Sequence, residues 1–243
     1  MPRFKVGDGF GLADGPSEAT HVSSYPRQNA FASTFPNNEL PFGGSGWRHG
    51  FSDGTLWNNI RTTPGLAFGT QIVGGANFLD SIACHGGYWF NDQTITSTVS
   101  CTNLIASADA GLVFEEVELL LRFSIDQGQA KGYEITFSVD PNASSGRYVQ
   151  INRWDGGAGN FTQLLSAAQL VNNGDALFAS IVGTVITVKI NGTTVTGFPY
   201  DTASDGTKYA SGAPGIGHYY TYGGAKSYAP SDYGLTNIVV TAA

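Results

Sequence analysis

The sequence predicts an all-β chain: two antiparallel sheets packed face to face, behind an extended N-terminal arm. Three observations predict it. Apolar and polar residues alternate with a period of two in segment after segment. Turn signals such as Asp140-Pro141-Asn142 and Asn191-Gly192 fall between those segments. No strand-helix-strand alternation occurs, which excludes a parallel sheet and the nucleotide-binding folds built on it.

Residues 1–28 stand apart. Pro2, Pro16, Pro26 and four glycines between Gly7 and Gly15 interrupt any periodicity, so this stretch reads as an arm. It packs along its own domain or reaches a neighbouring subunit. Residues 29–243 form the domain. The clearest strand carries Val117, Leu119, Leu121, Phe123 and Ile125 in alternation with Glu116, Glu118, Leu120, Arg122 and Ser124. Tyr133, Ile135, Phe137 and Val139 make the next, and Val149 and Ile151 the one after. Residues 164–172 suit a short helix or a strand equally. Residues 184–190 and 193–198, joined by Asn191-Gly192, read as a hairpin. Residues 235–241 form the last strand.

Composition narrows the class. Only 12 basic and 19 acidic residues occur among 243, with a net charge of −7. Electrostatic binding to nucleic acid is therefore not expected. Glycine, at 33 residues, is about twice as common as usual. No run of 18 apolar residues exists to cross a membrane, so no membrane insertion is expected. No apolar run follows Arg3 and Lys5, so no signal peptide is read. An extracellular type of composition without a signal points to a virion or an extracellular surface, reached by lysis or a non-classical route.

The order of segments carries a resemblance. Trp47 and Trp57 precede the short segment 65–69; the long strand 116–126 is followed by 132–137 and 148–154. Asn173-Gly174-Asp175 then leads into 179–192, and 211–217 and 234–240 close the set. This order resembles the concanavalin A-like lectin/glucanase superfamily, the jelly-roll group that includes laminin-G-like domains. The resemblance implies a two-sheet jelly-roll β-sandwich. It leaves function open, since that superfamily holds lectins, adhesion modules, glycosidases, lyases and structural proteins.

The superfamily's glucanases carry Glu-x-Asp-x-x-Glu on one strand; here Glu115-Glu116-Val117-Glu118 lacks the Asp and the spacing. Strand alternation places Glu116 and Glu118 opposite the apolar face, on an expected solvated outer face beside Arg122. His21, His49, His85 and His218 share no zinc spacing. Gly215 and Gly217 read as turn glycines. No catalytic residues are assigned, and the chain is read as a non-enzyme without a cofactor. A structural calcium, common in the superfamily, has weak candidates in Asp155 with Asn160 and Asp201 with Asp205. Cys84 and Cys101 flank a turn near Asn91-Asp92; paired as a hairpin they can bridge, and otherwise they are two small buried thiols.

Candidate ligand contacts are aromatic. Tyr148 and Trp154 share a face with Gln150 and Asn152, as a glycan groove would need. His218, Tyr219, Tyr220 and Tyr222 sit in a tyrosine-rich stretch with the same potential. The leading expectation is a structural or surface protein, a virion decoration or adhesion subunit, that contacts copies of itself or a shell protein through its arm. A glycan-binding module is the alternative, and a polysaccharide-cleaving enzyme comes last.

Overall fold

The computed structural model describes residues 26–71, 78–102, 104, 114–140, 147–206, 208–220 and 229–243. Most of the arm at 1–28 lies outside the described residues, as does Tyr222. The arm's last part is anchored: Gln28 donates its backbone N–H to the Tyr88 carbonyl at 2.7 Å.

All regular structure among the described residues is β-strand or short 3-10 turn. The first strands are β1 (Ala30–Ser33), β2 (Trp47–His49), β3 (Asn58–Thr63), β4 (Leu66–Gly69), β5 (Asp80–His85) and β6 (Gln93–Ser100). The long meander follows: β7 (Glu115–Asp126), β8 (Gln129–Ser138), β9 (Tyr148–Gly156) and β10 (Phe161–Ala168). Then come β11 (Ala176–Val182), β12 (Val185–Ile190), β13 (Thr193–Thr194), β14 (Tyr200–Asp201), β15 (Ala213–Tyr220), β16 (Gly234–Leu235) and β17 (Ile238–Ala242). Residues 164–168 belong to a strand, not a helix.

One sheet runs β5-β15-β7-β8-β9-β10, with β2 and β3 both on the outer side of β5. The other runs β1-β17-β6-β11-β12, with β13 and β14 on β12. β3 also pairs with β4, and β16 links β4 to β6, which turns the corner between the sheets. The arrangement is a jelly-roll sandwich. The Asn191-Gly192 hairpin forms as expected: φ is 51° and 80° at the two residues, the positive pair that a tight hairpin turn requires.

Register separates the two faces of the first sheet. Val117 pairs with Phe137 and His218, and Leu119 with Ile135 and Ile216. Phe137 and Ile135 pair in turn with Val149 and Ile151. This apolar ladder packs toward Ile95, Ala179, Val188 and Val240 of the second sheet, and β7 contacts both β6 and β11. Each fully buried side chain of this kind contributes roughly 1.5–3 kcal/mol.

Arg122 departs from its expected place. A register shift lies between Leu121 and Ser124, and Arg122 has φ 46°. The bulge turns its side chain away from Glu116 and Glu118 and into the sandwich end, where it is buried. Its Nε donates to the Asn91 carbonyl at 2.7 Å, and its Nη2 to the Gly183 carbonyl at 2.7 Å and to Asp92 at 3.2 Å. Its backbone N–H donates to Gln93 Oε1 at 3.0 Å. One guanidinium thereby ties β7 to the start of β6 and to the β11–β12 turn.

The hairpin that would let Cys84 and Cys101 bridge does not form, and the alternative of two free thiols holds. β5 belongs to one sheet and β6 to the other, and both cysteines are free. Burial pushes the Cys84 thiol up to about 12.

Candidate functional site

The face of β7, β8 and β9 opposite the apolar ladder is polar. Glu116 pairs with Tyr219 and Ser138, and Glu118 with Gly217 and Thr136. Glu134 pairs with Asn152, Asp80 with Tyr219, and Trp154 with Phe161. Period two therefore gathers Asp80, Glu116, Glu118 and Glu134 from three strands onto one surface. That surface forms a groove of about 280 Å³, walled by Asp80, Glu116 and Glu134 and by Phe78, Tyr148, Asn152, Trp154, Phe161 and Tyr219, among others, while Glu118 is buried and does not line it.

The solvated outer face expected for Glu116 and Glu118 is thus corrected. Glu118 is 1% exposed and Glu116 is half-buried at the groove wall. Gly217 explains how Glu118 fits: a Cβ at Gly217 would lie 1.9 Å from Glu118 Oε2. Gly215 and Gly217 are strand residues within β15, not turn glycines. At Gly215 a Cβ would lie 2.4 Å from the Ala83 carbonyl oxygen. These glycines let β15 pass closely between β5 and β7.

Glu134 is the best-supported acid. Its Oε1 accepts from Asn152 Nδ2 and Thr136 Oγ1, both at 2.9 Å, and its Oε2 accepts from the Trp154 indole at 2.6 Å. Glu118 shares a side-chain hydrogen bond with it, so the two carboxyls hold a proton between them. The Tyr148 hydroxyl donates to Glu116 Oε1. The Trp57 indole donates to Asp80.

Burial raises the proton affinity of all four carboxyls, and their mutual repulsion adds to this for Asp80, Glu116 and Glu118. Glu116 is pushed up to about 8. Three hydrogen-bond donors and Glu118 oppose the rise at Glu134 without cancelling it. Among the described residues, no Lys, Arg or His stands in the groove wall.

The aromatic residues divide. Trp154 is only 3% exposed: its ring packs at 5.2 Å from Trp57, 5.7 Å from Phe78 and 5.0 Å from Phe161. It is a supporting wall, and Phe161, at 46% exposed, is the open ring. Tyr148 and Tyr219 are half-buried and face the groove. His218 and Tyr220 point the other way. His218 lies in the core, stacked on Tyr233 at 4.2 Å and bonded by Gln71. Burial lowers it to about 3, so it is a neutral core imidazole. Tyr220 is 3% exposed.

The calcium candidates have other partners. Asp155 pairs with Arg153 at 3.1 Å and Lys208 at 3.1 Å, and accepts from Tyr209 at 2.8 Å. Asn160 donates to the Asp155 carbonyl at 3.3 Å. Asp201 caps the 3-10 turn Thr202–Asp205, and Asp205 accepts from Tyr200. Among the described residues no three His, Cys, Asp or Glu groups are set to hold a metal ion.

Sequence reasoning missed Asp80, Glu134, Phe78 and Phe161. Only pairing register brings them to Tyr148 and Trp154. A larger cleft of about 570 Å³ lies near Arg48, His85 and Tyr88, and carries none of these acids.

No protein-family model matches the chain, and no curated protein matches it. Solved structures match its fold. The exoplasmic/lumenal domain of VIP36, in its Ca²⁺- and mannose-bound form, is 11% identical, with a TM-score of 0.53 over 84% of this chain and 88% of that one. The CBM2 module of the Lactobacillus casei BL23 phage J-1 evolved Dit is 10% identical, with a TM-score of 0.52 over 89% and 97%. A glycoside hydrolase family 16 endo-glucanase from Bacteroides ovatus is 11% identical, with a TM-score of 0.50 over 86% and 99%. At these identities the likeness is one of fold, and that fold is the concanavalin A-like jelly roll.

Proposed function

We propose that this chain is a glycan-binding domain and that the groove of β7, β8, β9 and β15 is its site. The observation that carries the reading is the groove's lining: open aromatic rings beside carboxyl and amide groups. Rings stack on the apolar face of a sugar, and the polar groups fix its hydroxyls. Lectin and carbohydrate-binding structures with this fold support it. A particle or extracellular surface is the proposed setting, with the arm at 1–28 contacting copies of the chain or a shell protein. A glycan array probed with the full chain tests the site. Binding weakened by Phe161→Ala supports it, and an array without a binder removes it.

A second reading is favoured by the carboxyls themselves. A hydrolase needs one proton-donating and one ionised carboxyl across a sugar bond. Glu116 is pushed up to about 8, and Glu134 is raised too but opposed by its Asn152, Trp154 and Thr136 donors, so these two carboxyls are the candidates for the two roles. Release of new reducing ends from a bound glycan, abolished by Glu134→Gln, would move the reading from binding to cleavage. A bound glycan that stays intact would keep it at binding.

A further inference from the structure

The groove presents acceptors with too few donors to fill them. Asn152 directs Nδ2 to Glu134 Oε1 at 2.9 Å and to Thr136 Oγ1 at 3.1 Å, which fixes the amide orientation. Its Oδ1 is then left buried without a hydrogen bond, although the side chain lines the groove and is more than nine-tenths buried. Buried polar atoms in this state call for a donor. The nearby cations are engaged elsewhere: Arg153 and Lys208 both pair with Asp155. Aromatic rings of Phe78, Phe161 and Tyr219 stand beside the acids. Carboxylates with aromatic faces form a site for a compact cation rich in N–H donors.

We propose that the groove recognises a sugar residue bearing a free ammonium group, as in a de-N-acetylated aminoglycan. It rests on the glycan-binding reading and names the class of sugar. The ammonium supplies donors and a positive charge to the lining acids Asp80, Glu116 and Glu134. It takes the place of a proton held by the acid cluster, and that proton passes to solvent. An N-acetyl group removes the charge and brings a methyl. A uronate or sulfate sugar brings a second negative charge into the acid cluster and is excluded.

The test uses the full chain and an array of gluco-, galacto- and manno-configured hexosamines. Each is printed as the free amine and as its N-acetyl form, beside neutral hexoses and uronates, and read at about pH 6, where the sugar amine is protonated. At least one configuration is expected to bind about tenfold better as the amine, which corresponds to ~1.4 kcal/mol. The Glu116→Gln/Glu134→Gln double variant is expected to bring that ratio to within about twofold. The winning amine sugar is also titrated calorimetrically into wild type, in two buffers of different ionisation enthalpy. Net proton release to the buffer is expected, and this reading does not depend on the variant folding. N-acetyl or neutral sugars bound equally or better in every configuration would overturn the proposal and leave the glycan-binding reading standing. So would binding of the amine sugar without proton release. Binding of no sugar at all would overturn both.

Discussion

Glu116 allows a direct test of how the groove is built. Its proton dissociates near 4.5 in an unconstrained chain and near 8 in the fold. The folded chain therefore binds this proton more tightly than the unfolded one. Between those two values the folded state holds more protons, so stability falls as pH rises. Below about 4.5 the contribution is fully present, and above about 8 it is fully lost. At ~1.4 kcal/mol per pH unit the whole window amounts to roughly 5 kcal/mol. Partial exposure of Glu116 to the groove makes that an upper bound. The perturbation is Glu116→Gln, which keeps an oxygen for the Tyr148 hydroxyl and removes the titration. The assay is urea unfolding of wild type and variant at about pH 5, 6.5 and 8. His218 titrates alike in wild type and variant, so its contribution cancels from their difference. The two proteins should be close at the lowest pH. The variant should gain steadily over wild type as pH rises, by up to several kcal/mol at the top of the range. Equal stability differences at all three pH values would refute the account, because a carboxyl that titrates alike in both states creates no pH dependence.

Four further outcomes follow from the same structure. Arg122→Leu should lower unfolding stability by about 3–5 kcal/mol, since it leaves the Asn91 and Gly183 carbonyls without their guanidinium donor and removes the ion pair to Asp92. Arg122→Lys should recover only part of this in the same urea titration. His218→Asn should flatten the acid limb of wild-type stability. The folded imidazole stays neutral down to about 3, so the native state disfavours protonation and stability falls with pH below about 6.5. Thiol titration of denatured, unreduced protein should find two thiols, with Cys84 unreactive in the native state; a single bridge would contradict the sheet assignment. Phe161→Ala should weaken glycan binding by about 1 kcal/mol or more while leaving the fold intact, because the ring sits 46% exposed on an outer strand.

Much of the fold is legible in the sequence because strands announce themselves by local rules. Alternation at 117–125 and the Asn191-Gly192 turn need no tertiary information. The candidate site is legible only by half. Tyr148, Asn152 and Trp154 share a parity within one strand, and their common face can be read. Asp80, Phe161 and Glu134 join them through pairing across β5, β10 and β8, and pairing register is not encoded in any single segment. His218 and Tyr220 show the converse. A tyrosine-rich run looks like one binding loop, yet within a strand its members alternate, and Tyr219 alone of the three faces the groove. Arg122 was misplaced because one extra residue at the bulge breaks the parity on which the reading depends.

The burial of Glu116 and Glu118 misled sequence reasoning for a more general reason. A glutamate opposite an apolar face is ordinarily in water, since a buried carboxylate costs several kcal/mol unless it is paired or protonated. In a chain with only 19 acidic residues, four of them lie on this one surface, and no described cation in the groove wall compensates them. Apolar side chains of similar volume would stabilise the same sheet better, as replacements of buried ion pairs often do. Stability therefore does not account for the cluster. Gly217 points the same way, because it gives up a side chain in mid-strand to make room for the Glu118 carboxyl. A surface that raises the proton affinity of its acids, leaves Asn152 Oδ1 without a donor and keeps an aromatic ring open above them is organised around something that enters from outside.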